Sequence, residues 1–256
     1  MAGNDLRYKT LTDLARILSL FEIPDEEERS VSNISKSLQM LPSKVSRMLK
    51  TLEAEGLFEK NPKTGRYRLG GRFLQLGLFY ALNHPLRRII LPHLEHMAKE
   101  LSLLVSWAIF KNSRVIIIDR LNSINVPHLV GLDTSLPSSS YGKLFLAYLP
   151  PEEQEHILKT LTLVKFTPST KLELEAIRED LRLVKQRGYA IDNEEVQKGI
   201  WGLTAPVFNY HQDLVAAVTM VAKSSNFDKD KLPEMITYLT EKTSFISRQL
   251  GYIAME

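Results

Sequence analysis

Hydrophobic residues near the start of the chain recur at the spacing of amphipathic helices. The clearest stripe has apolar residues three and four positions apart: Leu11, Leu14, Ala15, Leu18 and Phe21. That spacing places all of them on one helical face. The pattern predicts helices over 10–22, 30–39 and 40–56, with a loop around Pro24 after the first. We therefore expect three short helices at this end of the chain.

The third segment, 40–56, separates into a buried stripe and an outward face. Pro42 suits its first turn and Gly56 its C-terminal end, while Ser32 is a candidate N-cap of the preceding helix. The buried stripe comprises Val45, Met48, Leu49 and Leu52. The outward residues are Ser43, Lys44, Ser46, Arg47 and Lys50. The outward face therefore combines short hydroxyl side chains with cations.

A basic hairpin follows this helix at 60–70, which read KNPKTGRYRLG. Its turn formers are Asn61, Pro62 and Gly65. Because strand side chains alternate, Arg66 and Arg68 share one face while Tyr67 and Leu69 share the other. Edge hairpins also carry cations that prevent edge-to-edge pairing, so the hairpin alone leaves that simpler role open.

Positive charge is concentrated in this part of the chain. Residues 43–72 contain eight basic and three acidic residues, a net +5 within a chain whose net charge is +3. A local basic patch on a nearly neutral protein is typical of nucleic-acid contact, although a solvated charged face is the alternative. Three helices followed directly by a basic hairpin predict a winged helix-turn-helix, whose third helix enters the major groove of DNA.

Each outward residue has an expected role in that arrangement. Arg47 is the candidate for base readout, because its planar guanidinium can bond guanine bidentately. Ser43 and Ser46 are short enough to allow close approach, and Lys44 suits a phosphate or a guanine edge. The candidates for phosphate contact are Lys50, Lys63, Arg66 and Arg68. In a dimer, two such helices would read half-sites separated by about 34 Å or a multiple of it.

The rest of the chain predicts a linker helix and a second domain. Residues 71–85 expose an apolar face without a core of their own, which indicates packing on a partner chain. The expected elements beyond them are strands at 105–110, 114–119 and 126–131, helices at 139–149, 151–163, 171–187 and 230–250, and a hairpin at 203–222. We expect an α+β protein, with a winged helix-turn-helix over 1–70 and an antiparallel sheet flanked by helices over 86–256.

Composition excludes several classes of protein and site. The chain has no cysteine, which excludes disulfides, thiolate metal sites and a cysteine nucleophile. No apolar run approaches the roughly 18 residues of a membrane span, and MAGNDLRYKT does not read as a signal peptide. Gly70 and Gly71 lack the strand and third glycine of a dinucleotide-binding loop. We expect a cytoplasmic protein without a cofactor.

Other kinds of site are possible on residue types alone. A nucleophile set would use Ser138, Ser139, His128 and Asp192. The chain lacks a G-x-S-x-G motif, however, and serines before a helix usually act as caps. His93 and His96 have a spacing that suits a metal, but no third ligand is evident. A winged helix also serves RNA or protein partners, yet the basic face offers only Tyr67 for base stacking.

Six segments together carry a family resemblance: MLPSKVSRMLKTLEAEG, NPKTGRYRLG, PHLEHMAKEL, SSSYGKLFLAYLPPEE, KQRGYAIDNEEVQKGI and TAPVF. In this order and spacing, the chain resembles the IclR family of bacterial transcriptional regulators over essentially its whole length. The resemblance implies a DNA-binding regulator rather than an enzyme, with a linker helix, a GAF-like effector domain and dimers or dimers of dimers. The family usually has proline where Leu41 stands, whereas here Pro42 lies one place later.

The resemblance also implies where a small-molecule effector binds. The matching positions are Ser138, Ser139, Ser140, Gly142, Asp192, Gly202, Thr219 and Val221. Asp192 is kept, but Gly202 replaces a common cysteine, and Thr219 and Val221 replace two serines. We expect fewer donors and a larger site, which the following side chains would line: Trp107, Leu129, Tyr141 and Trp201. An aromatic or partly apolar acid, held by helix-start amides, fits this expectation better than a two- or three-carbon acid.

Overall fold

The structure is a computed structural model that describes residues 8–22, 26–121, 131–133, 135–226 and 229–253. The chain divides into two compact units, Met1–Asn83 and His84–Glu256. Each has its own buried apolar cluster. Among these residues, no helix has both the length and the apolar character that a membrane crossing requires.

The described part of the N-terminal unit forms a winged helix-turn-helix. Its helices are α1 (Lys9–Ser19), α2 (Val31–Leu38), α3 (Pro42–Ala54) and α4 (Gly71–Leu82). Its hairpin strands are β1 (Phe58–Lys60) and β2 (Tyr67–Leu69). The core includes Ile17, Ile34, Val45, Leu49, Phe58 and Tyr67. The predicted architecture of this unit is therefore confirmed.

The buried face of α1 differs from the predicted apolar stripe. Ile17 is fully buried and Asp13 is only 4% exposed, whereas Leu11 is 62% exposed and Ala15 lies in solvent. A carboxylate can be buried here because the ammonium of Lys44 pairs with it. Leu14, Leu18 and Phe21 of the predicted stripe do pack against the core, so the prediction fails only at Leu11 and Ala15. Apolar spacing alone missed Asp13, because its partner lies on another helix.

The ends of α2 and α3 follow from local capping chemistry. The amide of Asn33 donates to Ser30 Oγ at 3.1 Å, so Ser30 caps α2 and the predicted cap, Ser32, does not. Pro42 occupies the first turn of α3, where the missing N–H costs no helical hydrogen bond. Gly56 follows α3 with φ of +71°, a left-handed conformation that glycine adopts without strain.

The hairpin pairs antiparallel and gains a third short segment. Arg29 and Tyr67 exchange two backbone hydrogen bonds, both of 2.8 Å. Across the hairpin, Glu59 lies opposite Arg68, and the Arg68 guanidinium donates to the Glu59 carboxylate at 2.9 Å. Tyr67 is buried and Arg68 is exposed, as alternation predicts, whereas Leu69 remains exposed.

The C-terminal unit is built on one antiparallel sheet in the order β5-β4-β3-β8-β7-β6. The strands are β3 (Leu104–Lys111), β4 (Arg114–Leu121), β5 (Gly131–Asp133), β6 (Ala190–Asn193), β7 (Ile200–Phe208) and β8 (Leu214–Lys223). The helices are α5 (Arg87–Leu101), α6 (Ser140–Tyr148), α7 (Pro151–Thr160), α8 (Leu174–Arg187) and α9 (Leu232–Gln249). The α+β class is confirmed. The predicted strand at 126–131 lies outside the described residues except for its last position.

Helices cover both faces of this sheet. Alanines from three strands pack against α6 and α8 on one face: Ala108, Ala190 and Ala217. On the other face, the Arg87 guanidinium at the start of α5 donates to the Asp119 carboxylate at 3.0 Å. α5 also contacts α9, where His93 Nε2 and Gln249 Oε1 lie 3.1 Å apart. Both faces are therefore buried, which is why the strand sequences are nearly continuous apolar runs.

Candidate functional site

The turn between α2 and α3 is held by side chains of neighbouring elements. Gln39 has a left-handed backbone with φ of +54°. Ser35 Oγ donates to the carbonyl of Met40 at 2.5 Å, and the Arg16 guanidinium donates to the carbonyl of Leu38 at 3.0 Å. The point at which α3 begins is therefore fixed by both α1 and α2.

The predicted DNA-facing residues of α3 differ in their exposure to solvent and in whether their charge is already paired. Those exposed to solvent are Ser43, Arg47 and Lys50. Ser46 is half-buried, and the Lys44 side chain is 31% exposed because its ammonium pairs with Asp13 of α1. Arg47 and Lys50 form no ion pair with any residue that the structure describes. Their charges are available to a ligand, whereas that of Lys44 is already matched.

The tip of the hairpin is tied to the segment before α2. The Glu28 carboxylate accepts hydrogen bonds from Asn61 Nδ2 at 2.8 Å and from Thr64 Oγ1 at 3.0 Å. The Asn61 bond is the largest cause that holds the pKa of Glu28 below its ordinary value. Lys63 and Arg66 flank Thr64 and are exposed. A fixed tip therefore presents these two cations to solvent.

The linker helix α4 leaves its apolar residues in solvent. No residue of this helix is buried. Its exposed large apolar side chains are Leu74, Leu76, Leu78, Phe79, Tyr80 and Leu82. Phe73 packs inward, with its ring centroid 6.4 Å from that of Phe58. An exposed apolar helix of this kind indicates a surface for another molecule.

In the C-terminal unit, strand register gathers hydroxyl groups on the face that α6 covers. Thr219 lies opposite Ser106 on β3 and opposite Thr204 on β7. Residues directly opposite each other project to the same face. The Tyr141 hydroxyl donates to Ser106 Oγ at 2.9 Å, and Thr204 Oγ1 donates to Ser140 Oγ at 2.7 Å. Three predicted effector residues thus converge with two that the sequence did not single out.

Asp192, Gly202 and Val221 lie on this same face, since Gly202 is opposite both of the others in register. A Cβ atom at position 202 would lie 3.1 Å from Ser140 Oγ. The expectation that Gly202 leaves additional room is therefore corrected, because the Ser140 hydroxyl lies directly against the space that a side chain at position 202 would take. This face also keeps more hydroxyl donors than the family resemblance implied, because Ser106 and Thr204 contribute theirs.

The start of α6 is a tightly packed capped terminus. Ser139 is its N-cap, and the amide of Gly142 donates to Ser139 Oγ at 3.0 Å. A Cβ atom on Gly142 would lie 2.9 Å from a terminal methyl of Leu136, so a larger residue here would require that side chain to shift. Ser138 is buried beside Lys143 in a small internal cavity. Of the predicted serines, Ser139 therefore serves as the cap of this helix.

The two tryptophans lie on the opposite face of the sheet. Trp107 follows Ser106 on β3, and Trp201 precedes Gly202 on β7. Because alternate residues of a strand project to opposite faces, neither indole shares the hydroxyl face. The Trp107 indole N–H instead donates to the Asp119 carboxylate at 2.8 Å. The prediction that both indoles line the effector site is therefore wrong.

A buried ion network lies beside the hydroxyl cluster. Lys143 Nζ pairs with Asp180 at 2.8 Å and with Glu195, and it donates to the carbonyl of Ile191 at 3.0 Å. Asp192 Oδ1 accepts a hydrogen bond of 2.7 Å from the amide of Glu195. Burial raises the pKa of Asp192 to about 7, although that hydrogen bond opposes the rise. The carboxyl therefore keeps its proton to a much higher pH than an ordinary aspartate does.

Sequence reasoning missed Lys143 and its partners, although one signal was present. Lys143 is the one charged residue in α6, where it stands among apolar neighbours, and it is 3% exposed. A lysine at such a position needs a buried acidic partner. Only the folded chain shows that the partners are Asp180 and Glu195.

Some predicted groups lie beyond what the structure describes. Leu129 and His128 are outside the described residues, so the role expected of Leu129 remains a prediction. His96 contacts Glu100 at 3.2 Å. Among the described residues, His93 and His96 do not belong to any group of three or more side chains able to hold a metal ion.

Comparison with known proteins assigns the family. The profile described as "Bacterial transcriptional regulator IclR C-terminal" matches residues 78–248, and a profile of the bacterial regulatory protein arsR family matches residues 12–60. The chain belongs to the IclR family. It is similar to the HTH-type transcriptional regulator KdgR of Escherichia coli (strain K12), at 28% identity over 98% of each chain.

Solved structures of IclR proteins have the same fold. The Thermotoga maritima IclR is 26% identical, with a TM-score of 0.65 over 94% of this chain and 100% of that one. An IclR homolog complexed with 4-hydroxybenzoate, from Microbacterium hydrocarbonoxydans, is 24% identical, with a TM-score of 0.72 over 94% and 99% of the two chains. As an IclR regulator, the protein has a DNA-binding helix-turn-helix, and its relatives are regulators rather than enzymes.

Proposed function

We propose that this protein binds operator DNA as a dimer or a dimer of dimers and that a small organic acid controls its binding. The supporting observation is a set of exposed cations on α3 and on the hairpin that follows: Arg47, Lys50, Lys63 and Arg66. Within the described ranges these side chains form no ion pairs, so their charges can meet phosphates or base edges.

The proposed contacts with DNA are of two kinds, to base edges and to phosphates. Arg47 reads a base, while Ser43 and Ser46 permit close approach of α3. The proposed phosphate contacts are Lys50, Lys63 and Arg66. Arg68 completes this set, although its guanidinium must be shared between the Glu59 carboxylate and a phosphate. We therefore assign Arg68 a smaller share of the phosphate contribution than Arg66. Lys44, whose ammonium pairs with Asp13, is proposed to contact a base edge.

Selection of duplexes from a randomised DNA pool tests this function. Purified protein at near-physiological salt should enrich a two-fold symmetric site, because a symmetric dimer reads two copies of one half-site. Weak, salt-sensitive binding to every duplex without enrichment, both with and without candidate acids, would contradict it. Single-stranded RNA of the same length is the control for a general nucleic-acid binder.

The exposed apolar face of α4 is the proposed contact with a second copy. Its support is the row of large apolar side chains on α4, which a lone chain leaves in water. Phe79→Glu should weaken self-association by about tenfold or more in sedimentation experiments. Phe166→Glu, at another exposed phenylalanine, is the matched control. A wild-type protein that stays monomeric at micromolar concentration contradicts the proposal.

The proposed effector is an acid with an aromatic or partly apolar body. The raised pKa of Asp192 supports an acidic effector, since a protonated carboxyl can lie beside the carboxylate of a ligand without like-charge repulsion. Ser140 and Thr219 supply hydroxyls, and Leu104 and Val221 supply apolar surface on the same face. The relative complexed with 4-hydroxybenzoate supplies the first compound to test.

Calorimetric titration with 4-hydroxybenzoate and with two- and three-carbon acids tests the effector class. We expect binding of the aromatic acid and a weaker response in Asp192→Asn, with operator affinity unchanged in the absence of the acid. Asp213→Asn, at an exposed aspartate of the same unit, is the control. Selective binding of a two- or three-carbon acid, with no heat from aromatic acids, would overturn the proposal.

A further inference from the structure

The first turn of the DNA-reading helix contains a lysine whose charge is already matched inside the protein. Lys44 is the third residue of α3, and its ammonium pairs with Asp13 on α1. Asp13 is 4% exposed, and the Arg16 guanidinium lies 3.6 Å from its other oxygen. The hydrogen bond from Lys44 is the largest cause that lowers the pKa of Asp13. The carboxyl is therefore ionised and committed to this pair at neutral pH.

Each of the two charges is unfavourable at its position in its own helix. A cation in the first turn faces the positive end of the helix dipole, which disfavours Lys44 at this position. A buried carboxylate on the core face of α1 is equally unfavourable unless it is paired. Each residue offsets the cost of the other. The pair also restrains a side chain that is otherwise flexible.

The position of Lys44 gives this restraint a consequence for DNA. In helix-turn-helix proteins, the N-terminal residues of the recognition helix contact base edges. An ammonium whose charge is matched by Asp13 attracts phosphates weakly and releases few counterions. It keeps further N–H donors, however, and its side chain remains 31% exposed.

We propose, on the basis of the operator-binding function above, that Asp13 is a specificity-determining positioning residue. It holds Lys44 for contact with a base edge and withholds the lysine charge from the phosphate backbone. Asp13 itself touches no DNA in this proposal. Its effect reaches the operator only through Lys44.

Asp13→Asn tests the proposal, because asparagine keeps the shape and one acceptor oxygen but loses the charge. Affinities for the selected operator and for a random duplex are measured at several salt concentrations. The released lysine should steepen the slope of log K against log salt by about one. The ratio of operator to random affinity should fall by about fivefold or more, as expected when one base contact is lost.

Two controls separate this effect from a general change in charge. Glu27→Gln alters net charge equally at an exposed position of the same unit and should change the slope far less. In a Lys44→Met background, Asp13→Asn should have no further effect on the affinity ratio, because the residue through which it acts is gone. An equal response to Asp13→Asn and Glu27→Gln overturns the proposal.

The outcomes distinguish this inference from the function on which it rests. If the wild-type protein prefers no duplex, the operator-binding function fails first. If the wild type discriminates and Asp13→Asn changes neither slope nor ratio, only the role of Asp13 is refuted. Should Asp13→Asn fail to fold, acylation of the wild type decides: Lys44 should react more slowly than Lys50 on the same helix, and equal rates overturn the proposal.

Discussion

Replacing Asp192 by asparagine should remove a pH-dependent loss of stability from the C-terminal unit. The pKa of Asp192 is raised from an ordinary value of 3.8 to about 7, chiefly by burial. Asparagine keeps an oxygen that can accept the 2.7 Å hydrogen bond from the amide of Glu195. The substitution therefore resembles the protonated carboxyl that the folded protein prefers.

The magnitude follows from linkage between proton binding and folding. The folded state holds this proton more tightly than the unfolded chain, so its stabilising contribution is complete below pH 3.8 and is lost as pH rises through 7. One pKa unit corresponds to about 1.4 kcal/mol, which gives a full effect of about 4 kcal/mol. Between pH 5 and pH 8, the change should be about 2–3 kcal/mol.

Urea denaturation followed by tryptophan fluorescence measures this difference. Trp107 and Trp201 both lie in the C-terminal unit, so the signal reports the unit that contains Asp192. Asp192→Asn should gain stability over the wild type as pH rises from 5 to 8. Asp213→Asn, at an exposed aspartate, should run parallel to the wild type. A constant difference between wild type and Asp192→Asn across this range would refute the argument from burial.

Three further substitutions test the DNA surface and the sheet. Arg47→Ala should cost about 1–3 kcal/mol of operator affinity and relax the preference at one base position, and unchanged affinity in a binding titration would mean that α3 is wrongly placed on DNA. Arg66→Ala should weaken all duplexes about equally and lower the salt slope by about one, while a base-specific loss would contradict a phosphate role. Trp107→Phe removes the indole donor to Asp119 and should destabilise the protein by about 1–3 kcal/mol in urea denaturation, and full wild-type stability would show that this bond contributes nothing.

Local sequence chemistry was sufficient for the elements of the DNA-binding unit. Pro42 marks the start of α3 and Gly56 follows its end, because the φ preferences of proline and glycine act within one helical turn. Val45, Leu49 and Leu52 follow the period of a helix, and so their burial was predictable. The turn formers at 61–65 and the alternation of Tyr67 with Arg68 likewise predicted the hairpin. These features depend on neighbours a few positions apart.

Pairings between distant segments were not predictable in this way. The burial of Asp13 depends on Lys44, thirty-one positions later, and that of Lys143 on Glu195, fifty-two positions later. The spacing of residues along one sequence does not show which distant residue will become the partner of a buried charge. A buried charge therefore appears as an exception until the folded chain brings its counterion into contact.

The face that each strand residue occupies was also decided by tertiary structure. Ser106 and Trp107 are adjacent, yet one joins the hydroxyl cluster and the other bonds Asp119 on the opposite face. Both faces of this sheet are covered by helices, so polarity does not alternate along β3. The sequence by itself determined which segments form helices and strands and which family the chain resembles. Only the register of the folded sheet decided which of the predicted effector residues share one face, because a shift of one residue reverses every face.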